Sequence, residues 1–293
     1  MEQIKIIALD LDGTLLDSQK RLSPRNCAAL ERAAARGMLV VPTTGRFFGM
    51  MPEAVRDLPC VRYAITINGA QVYDRVRDEA IVREEMPLDT AVSVMELLDS
   101  HDVIYDCYRD NWGWMTASMQ AKAEDYATDM HYLKMVREFR RPVPELKAHL
   151  RATAAGGGVQ KIMLFARRGA GEEKTLDAIR GEMAERFPEI RVTASTWNNL
   201  ELNSSGAHKG NALRRFAEHM GVTLANCAAF GDGLNDLSMV QAAGLGVAMA
   251  NAVPEVKAAA ARITLSNDED GVAVVLEDLE RDAGEIRNAQ ASS

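Results

Sequence analysis

The sequence is short of the features that would mark several protein classes. It has only four cysteines, Cys27, Cys60, Cys107 and Cys227, and no two form a C-x-x-C pair. A disulfide framework and a structural zinc site are therefore not expected. Scattered thiols fit the reduced state of a cytosolic protein, so a cytoplasmic location is expected. No apolar run approaches the ~18 residues a membrane span needs. Residues 1–5 run straight into an apolar stretch, without the regions of a signal peptide. A basic excess is also missing. There are 34 Lys+Arg against 42 Asp+Glu, a formal net charge of −8, which denies the chain the broad positive surface that nucleic acid or anionic membrane demands. No G-x-G-x-x-G follows an apolar run, and glycines 156–158 ahead of Lys161 do not satisfy the Walker A spacing. The histidines 101, 131, 149 and 219 lack metal-ligand spacing, and His208 reads as a surface residue at a helix start.

What remains is an ordinary globular composition, 47% hydrophobic and 26% charged, over 293 residues. That length suits one large α/β domain plus a smaller one. Residues 4–9, 38–41 and 63–67 are short buried-type apolar runs, each ending in polar residues. Ser23-Pro24 opens a helix that closes at Gly37. This strand–helix alternation predicts a doubly wound parallel sheet. After about residue 84 the pattern changes. Helices are expected over 88–98, 126–141 and 172–187, strands over 103–108, 113–116, 160–166, 190–194 and 200–202, and a small-residue turn over 152–158. The tryptophans Trp112, Trp114 and Trp197 read as core of this region. From about 207 the first pattern resumes, with a helix over 207–220, strands at 226–230, 246–249 and near 263, and helices at 236–243 and 254–261. Residues 283–293 are expected to fray. The organisation is thus a Rossmann-like core over 1–85 and 204–293 with an α+β unit, 86–203, inserted into it.

Polar clusters follow the core strands, and strand carboxyl ends of an open parallel sheet share one edge. Asp10 and Asp12, two apart on extended chain, face the same side while Leu11 turns away, and Gly13 permits the tight turn. One carboxylate can attack an electrophile while the other moves protons. Asp232 and Asp236, in Gly231-Asp232-Gly233-Leu234-Asn235-Asp236, bring two more carboxylates to that edge. Like charges ~4 Å apart repel by about 4 kcal/mol at an effective dielectric of 20. Either their pKa values rise or a hard cation sits among them, and oxygen donors suit Mg²⁺. Asp236 is expected both to cap the following helix and to steady the metal. Thr44, the Gly45 N–H and Lys209, at a helix start, supply hydrogen bonds and positive charge for an anion. Arg46 reads equally as a substrate contact or a surface ion pair, and Asn68-Gly69 as a turn.

The ordered motifs D-L-D-G-T, T-T-G-R, H-K-G-N-A-L and G-D-G-L-N-D, with S-N-D-E-D-G-V-A at 266–273, resemble the haloacid dehalogenase-like superfamily, in particular its Cof-type class IIB phosphatases with a C2B cap. The resemblance implies that Asp10 attacks phosphorus and becomes an aspartyl-phosphate. Asp12 would protonate the leaving oxygen and then activate water. Thr44 and Lys209 would hold phosphoryl oxygens together with the residues around them, Leu11, Gly45, Arg46 and Asn235. Mg²⁺ would sit at Asp10, Asp12 (through its carbonyl), Asp232 and Asp236. A small phosphorylated metabolite, sugar phosphates foremost, is the implied substrate, chosen by the cap. A phosphotransferase or phosphosugar mutase on the same scaffold is the alternative, and a phospho-aspartate sensor the more distant one. Oligomeric state is not readable.

Overall fold

The structure, a computed structural model, describes residues 3–127, 130–153, 157–169, 171–194 and 196–291, without the side chains of 131 and 283–291. The chain forms two compact units, one of Met1–Arg83 with His208–Ser293 and one of Glu84–Ala207.

The first unit is built on a five-stranded parallel sheet in the order Arg262–Ile263, Leu245–Ala248, Cys227–Gly231, Ile6–Leu9, Leu39–Pro42. Ile6–Leu9 lies inside the sheet, between Cys227–Gly231 and Leu39–Pro42, and all four residues are fully buried, as an uninterrupted apolar run requires when helices cover both faces of a sheet. The helix Pro24–Ala35 starts where the sequence indicates: the Ser23 hydroxyl accepts the Asn26 N–H at 3.0 Å, and proline occupies the first turn. Lys209–His219 buries Leu213 and Phe216 in the same core.

The third apolar run does not extend this ladder. Tyr63–Thr66 pairs antiparallel with Gln71–Asp74, which pairs with Glu79–Arg83, as a separate three-stranded sheet. Isolated parallel bridges, Val40↔Val61 and Thr43↔Ile65, join its first strand region to that of Leu39–Pro42. The physical reason is the turn: Ile67, Asn68 and Gly69 all have φ between 54° and 97°, so the chain doubles back at once instead of crossing over through a helix.

The inserted unit is a six-stranded sheet, in the order Ile190–Thr193, Asn199–Ser204, Lys161–Ala166, Val103–Arg109, Trp112–Thr116, Arg140–Val143, antiparallel except for the last pair. One face packs Tyr105, Leu164 and Leu202 against Met95, Leu98, Ile179 and Met183 of the helices Leu88–Leu98 and Glu172–Arg186. Alternation sends Asp106, Tyr108, Lys161 and Glu201 to the other face. There the Asp106 carboxylate pairs with Arg140 at 3.0 Å, and Lys161 with Glu201 at 2.6 Å, all buried. Two expectations for this unit are corrected. The helix expected over 126–141 is Met130–Phe139, because Arg140 already belongs to a strand; residues 128–129 lie outside the described ones. Trp197 is 65% exposed and Trp112 is also exposed, so neither is core; Trp112 lies under the Arg141 guanidinium at 3.6 Å. Of the turn expected at 152–158, residues 154–156 lie outside the described ones.

The final helix runs Gly271–Ala291, further than the fraying expected from 283; residues 292–293 lie outside the described ones. No helix among the described residues is long and apolar enough to cross a membrane.

Candidate active site

Parallel register places the polar clusters side by side. Leu9 stands opposite Phe230 on one side and Pro42 on the other, so Asp10, Asp232 and Thr44 emerge together at the carboxyl edge. The Asp10 N–H donates to the Phe230 carbonyl at 3.0 Å, and the Thr43 N–H to the Leu9 carbonyl at 2.7 Å, extending both strands into the site.

One carboxylate oxygen from each of Asp10, Asp232 and Asp236 lies within 4.8 Å of the other two. Lys209, fully buried in the first turn of Lys209–His219, joins two of them: its Nζ donates to Asp10 Oδ1 at 2.6 Å and to Asp236 Oδ1 at 2.5 Å. Burial, with Asp236 adding to it, pushes the Asp10 carboxyl up to about 8 despite Lys209. Burial also raises the Asp232 carboxyl, against the Thr14 hydroxyl that donates to it at 2.8 Å. Lys209 stays charged, because the two carboxylates outweigh its desolvation and raise it.

Asp236 does not cap its own helix with its side chain. Its Oδ2 accepts the N–H groups of Asp232 and Gly233, both at 3.0 Å, and so shapes the loop that carries Asp232. Gly13 has φ +87°, and a Cβ there would strike the Asp232 carboxylate; the turn after Asp12 therefore demands glycine on two counts.

The Asp12 carboxylate stands apart from the trio. It pairs with Lys20 Nζ at 2.9 Å and Arg46 Nη2 at 2.8 Å. Burial would raise it, but Arg46 and Lys20 prevail and hold it below the usual carboxylate range. The Asp12 carboxylate is turned to these cations and away from the trio, and the metal role that the resemblance assigns to Asp12 falls to its main-chain carbonyl. Arg46 resolves to an ion pair, within the site and not on an unrelated surface. Thr44 is buried; its Oγ accepts the Arg46 N–H at 3.3 Å. Gly45 stands against the Asn68 side chain, 2.7 Å from where its Cβ would lie. Asn235 is exposed and makes no hydrogen bond to Lys209; Leu11 is buried, facing away. His208 is the N-cap of Lys209–His219, its Nδ1 accepting the Asn211 N–H at 3.1 Å, and is half-buried.

Two residues of this site carry no earlier assignment. Thr14 reaches Asp232 from within the turn at Gly13, so strand alternation did not reveal its direction. Lys20 reaches Asp12 only because its own φ is +62°, which nothing in its neighbours signals.

Three carboxylates served by one buried lysine leave negative charge in surplus, and their donor atoms are all hard oxygens. This set fits a divalent cation of the Mg²⁺ type.

A parallel α/β core whose carboxyl edge gathers acidic side chains around a buried lysine suits the handling of a phosphoryl group. The profile of the haloacid dehalogenase-like hydrolases matches residues 7–276, and the chain belongs to that family, as one of its phosphatases. Among the relatives it resembles is the 5-amino-6-(5-phospho-D-ribitylamino)uracil phosphatase YcsE of Bacillus subtilis, 31% identical over 273 residues, 92% of this chain and 93% of that one. Another is the HMP-PP phosphatase of Serratia proteamaculans, 31% identical over 254 residues and 86% of each chain. Among solved structures, a haloacid dehalogenase-like hydrolase from Bacteroides thetaiotaomicron superposes with a TM-score of 0.77 at 29% identity, covering 94% of this chain and all of that one.

Proposed function

We propose that the chain is a Mg²⁺-dependent phosphatase that removes phosphate from small phosphorylated metabolites through covalent attack by Asp10. The observation that carries this reading is the Lys209 bridge. A buried ammonium hydrogen-bonded to both Asp10 and Asp236 aims the Asp10 carboxyl at the open edge of the sheet and favours its ionised form against the opposing effect of burial.

An Asp10 oxygen attacks phosphorus, the bond from phosphorus to the leaving oxygen breaks, and Asp12 gives that oxygen its proton. Water then attacks the aspartyl-phosphate; Asp12 takes the water's proton, phosphate leaves and Asp10 is regenerated. Lys209 and the Thr44 hydroxyl hold phosphoryl oxygens throughout. The incoming phosphate, itself an anion, competes with Asp12 for Arg46, loosening the pair that keeps Asp12 ionised. Asp10, Asp232, Asp236 and the Asp12 carbonyl would hold Mg²⁺, which when bound supplies charge neutralisation for the phosphoryl group.

The inserted unit is assigned the choice of substrate. The substrates named for two relatives, a phosphorylated ribitylaminouracil and HMP-PP, support a small organic phosphate, and sugar phosphates are the class proposed for this chain. The test is phosphate release from p-nitrophenyl phosphate. EDTA should stop it and added Mg²⁺ restore it; Asp10→Asn should lower it at least about a thousandfold while the far-ultraviolet spectrum stays unchanged. Turnover retained in Asp10→Asn overturns the nucleophile, and activity indifferent to EDTA overturns the cation.

A further inference from the structure

The segment 12–22 carries three contacts of the site: Asp12 itself, the Thr14 hydroxyl on Asp232, and Lys20 on Asp12. Yet it belongs to no regular sheet. It is held locally by single bridges, Asp12↔Leu16 and Leu16↔Leu22, and by a turn in which the Asp17 carboxylate accepts the N–H groups of Gln19 and Arg21. Local backbone bonds, the Leu15 N–H to the Asp10 carbonyl and the Leu16 N–H to the Leu11 carbonyl among them, fix part of it, and further backbone groups are met by side chains of other elements. Asn251 Nδ2 donates to the Gly13 carbonyl at 2.7 Å. Asn26 Nδ2 donates to the Leu15 carbonyl at 3.3 Å and Asn267 Nδ2 to the Leu16 carbonyl at 3.0 Å. The Asp268 carboxylate accepts both the N–H and the hydroxyl of Ser18, at 2.7 and 2.6 Å.

These donors are themselves tied together. The Asn267 N–H donates to Asn251 Oδ1 at 3.1 Å, and the Ala273 N–H to Asn26 Oδ1 at 3.0 Å. A capping box between Ser266 and Glu269, closed by Asp270 at φ +57°, shapes the loop that presents Asn267 and Asp268. The run S-N-D-E-D-G, with no role in the chemistry above, is thus fastened to the segment that bears Asp12.

We propose that Asn251, Asn267 and Asp268 form a strap of positioning residues that holds segment 12–22, and through it fixes Asp12 for proton delivery to the leaving group. This rests on the phosphatase reading.

The test compares kcat/KM, which reports phosphoryl transfer to Asp10, for p-nitrophenyl phosphate and for a simple alkyl phosphate. Nitrophenolate leaves without a proton; an alkoxide does not. Asn251→Ala and Asp268→Ala replace exposed side chains, so both variants should fold. Each should lower kcat/KM for the alkyl phosphate on the order of 10- to 100-fold, and for p-nitrophenyl phosphate by no more than about threefold. In an Asp12→Asn background Asp268→Ala should cost nothing further on the alkyl substrate. Amide exchange should quicken at residues 14–17 and not in Ile6–Leu9. Equal losses on both substrates, full additivity with Asp12→Asn, or unchanged exchange at 14–17 would each overturn the strap. A wild-type chain that releases no phosphate from either substrate overturns the phosphatase reading and the strap's catalytic role with it; an active wild type with indifferent variants overturns the strap alone.

Discussion

Asp10 and Lys209 define the acidic edge residue by residue, and their ionisation makes a stability prediction. In the metal-free protein the Asp10 carboxyl lies at about 8, raised chiefly by burial. Unfolded, an aspartate titrates near 3.9. Between those values the folded chain holds a proton that the unfolded chain has lost, so this group's stabilising contribution is present at low pH and disappears as pH rises towards 8. The melting temperature of the metal-free protein should therefore fall between pH 5.5 and 8.5 more steeply than that of Asp10→Asn, which cannot ionise. Equal slopes would show that Asp10 is already ionised in the folded state. The individual acids were legible because each follows an apolar run that ends in D-x-D or G-D-x-x-x-D. What each carboxylate touches was not. That Asp12 faces Arg46 and Lys20, and that Asp236 serves the loop before its helix, depends on turn geometry at Gly13 and Lys20 that residue identity leaves open.

At the level of elements, apolar continuity reveals a strand but not its partners. Ile6–Leu9 and Tyr63–Thr66 look alike on paper, yet one is an inner strand of the parallel sheet and the other starts an antiparallel meander, because three successive residues at 67–69 adopt positive φ. The polar face of the inserted sheet was equally hidden. Val103–Arg109 is buried throughout, so its alternation separates two kinds of interior, one apolar and one ionic. The ionic side makes a prediction of its own. Arg140→Met leaves Asp106 deep in the sheet without its cation and should destabilise the inserted unit by about 3–5 kcal/mol in urea unfolding. Adding Asp106→Asn should recover much of that loss. A single substitution costing under about 1 kcal/mol would mean that the pair contributes little.

On the scale of the whole molecule, the sequence pattern changes near residue 84, where the compact unit Glu84–Ala207 begins, while the exposure of single side chains within that unit was not readable. Aromatic residues there alternate between core, as with Tyr105, and surface, as with Trp197, under no periodicity that distinguishes them. A panel of phosphorylated metabolites ranked by kcat/KM should place sugar phosphates ahead of nucleotides and phosphoproteins; a nucleotide at the top would refute the assigned class.

The order of the parallel sheet has a consequence for biosynthesis. Ile6–Leu9 leaves the ribosome before the other strands of its sheet, but one of its two neighbours, Cys227–Gly231, is made only after the whole insertion. Until then its hydrogen-bonding edge has no native mate, and Asp10 stands without Asp232, Asp236 or Lys209. A chain arrested before residue 209 would hold Asp10 and none of Lys209, Asp232 and Asp236, so the acidic edge is assembled late in translation, when the sheet gains its missing middle.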